Sequence, residues 1–273
     1  MLKARVLTAI VLLAGLLSAL LLLPATAWLL LCALVCGGAA WEWGGLAAFG
    51  RRARAGLALV FALACLAIGY WAGLSGSGLP PVGSLAPFYV VSALFWLVAI
   101  PAWLARKWRL GAPSLAVLVG LIVLVPPALA LAHLRLIDPR VLLAAMAVVW
   151  VADIAAYFSG RAFGRHKLAP SISPGKTWEG AAGAAVGVLV FGVVLSVSLN
   201  IPPPGGWPGL AVMLIAYTGI SIIGDLFESL LKRQAGLKDS GTLLPGHGGI
   251  LDRIDSLTST LPIAGLVALW WAR

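Results

Sequence analysis

Apolar runs of roughly twenty residues recur along the chain from one end to the other, and this recurrence limits what the chain can fold into. A run of that length, wound as a helix, matches the ~30 Å hydrocarbon core of a bilayer. Lipid offers the backbone no hydrogen-bond partner, so such runs must pair their own amides and carbonyls as helices. Nine candidate spans follow, approximately 5–23, 27–48, 56–73, 87–106, 112–133, 140–160, 178–198, 208–226 and 257–272. Only 10% of the 273 residues are charged and 62% are hydrophobic, against about 25% charged in soluble domains. The fold class expected is therefore all-α, a polytopic transmembrane bundle forming one integral membrane domain over residues 1–273. The start Met1-Leu2-Lys3-Ala4-Arg5 has the basic character of a signal peptide, but the apolar run behind it is too long and a second span follows at once.

Orientation is read from the cations. An N-terminus in the cytoplasm puts Arg51, Arg52 and Arg54, then Arg106, Lys107 and Arg109, and both long polar loops on the inside. Sixteen of the nineteen cations then lie inside, with Arg135, Arg140 and Arg273 outside, which satisfies the positive-inside rule. A net charge of +10 alone is compatible with nucleic acid, anionic lipid or a phosphate-bearing substrate. Its placement in loops that join spans argues for membrane lipid and phosphate, and against nucleic acid. Cys32, Cys36 and Cys65 lie in apolar runs without metal spacing and read as small packing residues. His133 reads as interfacial at the outer end of span five. Glu42, in Trp41-Glu42-Trp43, has two readings: a partner for a cation of the site, or a carboxylate snorkelling to the interface.

Chemistry is concentrated late in the chain. Residues 229–255 hold four of nineteen cations, three of nine acids and one of three histidines. Seven of the nine acids follow residue 150: Asp153, Glu179, Asp225, Glu228, Asp239, Asp252 and Asp255. Asp225 and Glu228 are spaced i, i+3 and share a helix face, as Asp252 and Asp255 do if that segment is helical. Carboxylate pairs with neither Cys nor His clusters suit magnesium, with room for a second cation, and not zinc. The opposing reading pairs these acids with Lys232, Arg233 or Arg253 to neutralise charge, and Arg253, between two acids, is the residue it fits best. Gly246-His247-Gly248-Gly249 brings an imidazole and open amides together, and with Lys232, Arg233 and Lys238 nearby suits a polyphosphate.

The other polar loop carries Lys167 and then Ser173-Pro174-Gly175-Lys176-Thr177. Its Pro-Gly-Lys-Thr is not a Walker loop, because the first glycine of that motif would fall on Pro170. A turn opening a helix, with free amides and a lysine, remains a phosphate site; a basic interfacial loop is the plainer alternative.

The run Ser229 to Asp255 resembles the signature of phosphatidate cytidylyltransferases (CDP-diglyceride synthases), as S-x-x-K-R-x-x-x-x-K-D-x-G-x-x-L-P-x-H-G-G-x-x-D-R-x-D, without departure over 27 positions. The segment Asp153 to Gly180 is similar to the family's as well. The resemblance implies transfer from CTP to phosphatidate, giving CDP-diacylglycerol and pyrophosphate, in a bacterial-type plasma (inner) membrane with the site facing the cytoplasm. It implies that Asp225, Asp252 and Asp255 hold magnesium. Ser173, Lys176, Lys232, Arg233, Lys238 and His247 would bind the triphosphate or the lipid phosphate, with Asp239 and Arg253 in the catalytic set and Lys167, Pro174, Gly175, Thr177, Gly248 and Gly249 lining the substrate. Spans within residues 1–135 would form a lipid-facing scaffold and residues 140–273 the catalytic part, with cytoplasmic loops at 160–178 and 227–256. A homodimer is compatible with such an enzyme. The alternatives are a CTP-dependent enzyme acting on another lipid phosphate or lipid alcohol, and an ion-coupled transporter. The acids gather at one face with no internal repeat, which speaks against the transporter.

Overall fold

A computed structural model describes residues 2–76, 78–200, 202–203, 205–243 and 248–271, with side chains from Ile10 onward except that of Leu12. Helices α1 (Leu2–Leu22), α2 (Ala25–Leu46) and α3 (Arg51–Trp71) are followed by α4 (Val82–Leu94), a π-helical turn (Phe95–Ala99) and α5 (Ile100–Arg106), which together make one span. Then come α6 (Pro113–Ile137), α7 (Pro139–Phe163), an antiparallel hairpin of β1 (Lys167–Ala169) and β2 (Ser173–Thr177), α8 (Trp178–Ser198), α9 (Gly206–Gln234) and α10 (Leu251–Trp271). The nine expected spans are matched by these helices. Eight are long and apolar enough to cross a membrane among the described residues, and α1 contributes the apolar stretch Leu13–Leu22. The chain is an all-α polytopic bundle and an integral membrane protein; the small hairpin is an addition to the expected all-helical plan.

Burial sorts the helices into layers. In the most apolar window of α6, α2 and α10, 67%, 61% and 56% of residues are buried, against 22% in α3 and α8 and 28% in α7. The outer helices instead expose valines and leucines, such as Leu59 and Leu63 on α3 and Val186, Val190 and Val194 on α8. Apolar side chains facing outward have their natural solvent in lipid.

Two boundaries differ from the sequence expectation, and both differences matter to function. Span eight extends to Gln234, so Lys232 and Arg233 stand on a helix instead of in a loop. Leu230 to Gln234 are good helix formers, and the helix stops only at Gly236, whose φ of +70° starts a left-handed turn. There Leu237 N donates to Lys232 O (2.9 Å) and Gly236 N to Arg233 O (3.1 Å), the paired bonds of a Schellman cap. Span nine begins at Leu251, so Asp252, Arg253 and Asp255 are helical too. The pair at i, i+3 is therefore on one face, as its helical condition required.

His133 corrects its interfacial reading. It is 2% exposed and stacks on Tyr89, with ring centroids 5.9 Å apart. The three cysteines are buried and free, as packing residues should be. At the turn between α6 and α7, Asp138 caps α7 by accepting from Arg140 N (2.7 Å), and the Arg140 guanidinium holds its carboxyl below the usual carboxylate range.

Candidate active site

The polar groups converge where α7, α9 and α10 meet the hairpin at one end of the bundle. On α9, Asp225, Glu228 and Lys232 fall at i, i+3 and i+7 and share a face. The rotation of α9 is fixed from behind by Phe227, whose ring packs edge-on against Trp96 (5.6 Å), Trp103 (5.7 Å) and Phe95 (6.4 Å) and tilted against Trp43 (6.4 Å). Phe95 and Trp96 open the π-helical turn just before Pro101, whose missing amide would break a regular α-helical ladder there. The irregularity of span four thus supplies part of the aromatic seat for α9.

Close approach of α9 to α10 requires Gly224. A Cβ there would come within 2.9 Å of Asp255 O and would run into Ser259 Oγ. The two helices are then stitched by buried hydroxyls, Ser259 Oγ donating to Ile220 O (2.9 Å) and Ser256 Oγ to Ser221 O (3.2 Å). Such bonds suit a lipid environment, where small polar residues hold helices together.

Lys232 lies between two acids, 2.8 Å from Glu228 Oε2 and 2.7 Å from Asp252 Oδ1, and all three side chains are largely buried. The other oxygen of Asp252 accepts from Ser240 N and Gly249 N, each at 2.9 Å. Lys176, carried in by β2, reaches Asp225 Oδ2 at 2.5 Å, while Ser229 Oγ donates to Asp225 Oδ1 at 3.1 Å. Asp255 interacts electrostatically with Asp225, Glu228 and Asp153, and Asp153 with Asp225 and Lys176. Five carboxylates therefore share this region with two ammonium groups. Asp153 is exposed and Asp225 and Asp255 are half-buried, so the cluster is open to a ligand.

The loop leading into α10 hangs on one residue of the N-terminal half. Glu42, fully buried on α2, accepts from Ser240 Oγ (2.9 Å), Ile250 N (3.0 Å) and Leu251 N (2.9 Å). The last two amides open α10, so the carboxylate also sits at the positive end of a helix dipole. Gly249 packs so closely on Glu42 and Ser240 that a side chain there would displace both. Neither sequence reading of Glu42 was this: it faces backbone amides and a hydroxyl instead of a cation, and it lies in the interior instead of at the interface.

The expected site residues separate into three groups. Lys176, Asp225, Lys232, Asp252 and Asp255 come together. Lys167, Pro174, Gly175, Arg233, Lys238, Asp239 and Arg253 are exposed around them, and Ser173 is half-buried on β2. Thr177 and Gly249 are committed to the protein: the Thr177 hydroxyl caps α8 by accepting from Gly180 N (3.1 Å), and the Gly249 amide serves Asp252. Gly248, with φ +80°, sits against Asp252 and permits that turn. His247 lies outside the described residues. Ser240 was missing from the expected set, Glu228 was read only as the helix-face partner of Asp225, and Glu42 only as a candidate partner for a cation or an interfacial carboxylate. An acid in the middle of an apolar helix, as Glu42 is, was the available sign; Ser240 gave none beyond its place in the signature.

Among the described residues, no three His, Cys, Asp or Glu side chains form a ready-made metal cage. Magnesium does not need one, since it takes one or two carboxylates and completes its shell with substrate phosphates and water. The donor set fits: hard oxygens in excess of cations, a lone-pair site left on Asp252, and Glu228 Oε1, which is buried with no hydrogen-bond partner.

Comparison with known proteins places this architecture. The cytidylyltransferase family matches residues 3–270. A phosphatidate cytidylyltransferase of Pseudomonas aeruginosa is 40% identical over 281 residues, covering 100% of this chain and 98% of that one. One of Haemophilus influenzae is 38% identical, with 96% of each chain covered. A Brucella suis phosphatidate cytidylyltransferase is 55% identical over 113 residues, 41% of each chain.

Proposed function

The chain belongs to the cytidylyltransferase family and transfers a cytidylyl group from CTP to phosphatidate, and we propose that the cluster joining α7, α9, α10 and β2 is where it does so. The observation that carries the proposal is the convergence of Lys176, Asp225, Lys232, Asp252 and Asp255 at one open site, from elements up to eighty residues apart.

In this reading a phosphate oxygen of phosphatidate attacks the α-phosphorus of CTP. A P–O bond forms to the lipid phosphate, the α–β bridging bond breaks, and pyrophosphate leaves with the electron pair. The nucleophile is an anion already, so the protein's task is to hold two highly charged partners together and screen their repulsion. Lys176, a quarter exposed on the hairpin, with Arg233 and Lys238 on the rim, meets the triphosphate. Lys232 keeps Asp252 and Glu228 in place. Of the expected ligands Asp225, Asp252 and Asp255, one or two would hold magnesium, with water and phosphate oxygens completing its shell, and when bound it would supply positive charge against the phosphates and the departing pyrophosphate.

The site faces the cytoplasm in this proposal. Its support is that the basic clusters Arg51 to Arg54 and Arg106 to Arg109 flank the helix ends that carry the site: Gln234 of α9 donates to Lys107 O (3.1 Å) and Trp108 O (2.9 Å), and Glu42 of α2 holds the loop before α10. In a bacterium this is the inner membrane, where soluble CTP and membrane phosphatidate meet. Every residue of the site comes from one chain, so a homodimer would carry two such sites.

The test is pyrophosphate release from CTP and phosphatidate by purified protein with magnesium, beside Asp225→Asn. The expected result is lipid- and magnesium-dependent release in the parent and its loss in the variant. Full activity in Asp225→Asn would move the site elsewhere.

A further inference from the structure

α7, α9 and α10 each carry an acid of the site toward one end and the wall of an apolar cleft toward the other. The cleft has a volume of about 580 Å³, within the ~300–1,000 Å³ range of ligand sites. On α9 its wall runs from Leu210 to Ile220, on α7 from Val141 to Val148 and on α10 from Ile263 to Trp271, with α8 closing it at Gly192. Of its three side chains with polar N or O atoms, Tyr217 donates to Ala145 O (3.4 Å), Ser196 has a partner of its own, and Trp271 stands at the far end, on the last turn of α10. The rest of the wall is apolar, and a cavity of this kind does not hold water well.

Position supplies the occupant. Ile220 is five residues from Asp225 and Val148 five from Asp153, about 7.5 Å along each helix at ~1.5 Å per residue. Ile263 is eight residues from Asp255, about 12 Å by the same measure. The ten residues from Leu210 to Ile220 extend the cleft a further ~15 Å, half of the ~30 Å hydrocarbon thickness and so the depth of one leaflet's chains. Asp225 lies nine residues inside the end of α9, about 13 Å below it. α9 runs past its apolar stretch at this end, so a lipid phosphate held at the acids directs its tails into the hydrocarbon along α9, toward the cleft.

We infer that this cleft is the binding site for one acyl chain of the lipid substrate and that it measures the chain's length. The inference rests on the function proposed above. A long chain fills the cleft and is held away from bulk lipid; a short one leaves its far end empty. The residues that set the depth are small ones in the wall, Ala216 on α9 and Ala264 on α10.

The experiment measures kcat/KM for pyrophosphate release with dipalmitoyl and with dioctanoyl phosphatidate, in the parent, Ala216→Phe and Ala264→Phe. Each added ring is expected to lower the dipalmitoyl-to-dioctanoyl ratio by about tenfold or more, the scale on which apolar pockets discriminate size. A ratio within about twofold of the parent in both variants overturns the inference, including the case where a structural lipid or a second copy of the chain fills the cleft and both substrates lose activity together. Because a ratio is read, partial misfolding does not imitate the expected result. Independently, phosphatidate with a diazirine at the end of one chain is expected to label α9 between Leu210 and Ile220 or α10 beyond Ile263, and labelling confined to other helices overturns the inference. No release by the parent with either lipid would instead refute the reaction itself, and the chain site with it.

Discussion

The two polar segments that meet at the site are held in opposite ways. The loop that enters α10 is pinned from the interior, by Glu42 at 0% exposure and by Asp252 and Lys232, whose side chains are 5% and 13% exposed. The hairpin is tied down at the surface, where His166 Nδ1 lies 2.6 Å from Glu179 Oε1 with side chains 78% and 24% exposed, and Glu179 also accepts from the amides of Arg165 and His166. Water can replace a lost partner at the hairpin and cannot at the loop. The same chemical change should therefore be severe in one segment and mild in the other, leaving the anchored residues Ser240 and Gly249 to Leu251 as a fixed platform and the hairpin as the part able to adjust to nucleotide.

Breaking the pinned side should have the largest effect. Glu42→Ala leaves two amides and a hydroxyl without an acceptor in the interior, at ~1–3 kcal/mol for each orphaned group, a large share of the ~5–15 kcal/mol that holds a typical fold. Little folded protein is expected in detergent, and none of it active. A variant that melts like the parent and retains turnover would end the comparison. Lys232→Met should follow, since two buried carboxylates lose their counter-charge at a cost of ~3–5 kcal/mol. Thermal unfolding and pyrophosphate release would both fall, and the double variant Lys232→Met/Glu228→Met should recover part of the lost stability, Asp252 still lacking its ammonium, without activity.

The bridging pair sharpens the contrast. Lys176 and Asp225 are a quarter exposed, so Lys176→Met should change stability by less than ~1 kcal/mol. Its effect should instead appear as a rise in KM for CTP of about tenfold or more, read against kcat. The smallest effect is expected for Glu179→Gln, which keeps an acceptor for the hairpin amides and loses only the carboxylate's exposed contact with His166 Nδ1. A melting shift of less than roughly 2–4 °C and near-parental turnover are expected, and a collapse as deep as that of Glu42→Ala would show that the hairpin is as rigid as the loop.

Much of this architecture was legible beforehand. Each of the nine spans was read from its own residues, Lys232, Asp252 and Asp255 stood in the signature, and Asp225, four residues before it, was picked from its helical spacing with Glu228. The ends were less legible: α9 and α10 run further than their apolar stretches because Gly236 and the amides held by Glu42 decide where helix stops and starts, and hydropathy does not see either. His133 was misplaced for a related reason, since stacking on Tyr89 depends on which helices are neighbours.

The sequence by itself determined that this chain crosses the membrane as helices and which short stretches carry its chemistry, because lipid obliges each span to satisfy its own backbone and local spacing sets which side chains share a face. The tertiary structure alone decided that Glu42 meets Ile250 across 208 residues, that Lys176 meets Asp225, and that an apolar cleft lies beyond the acids. In hydrocarbon one apolar helix face is much like another, so which faces meet is settled by close packing at residues such as Gly224 and by the few polar atoms that must find each other.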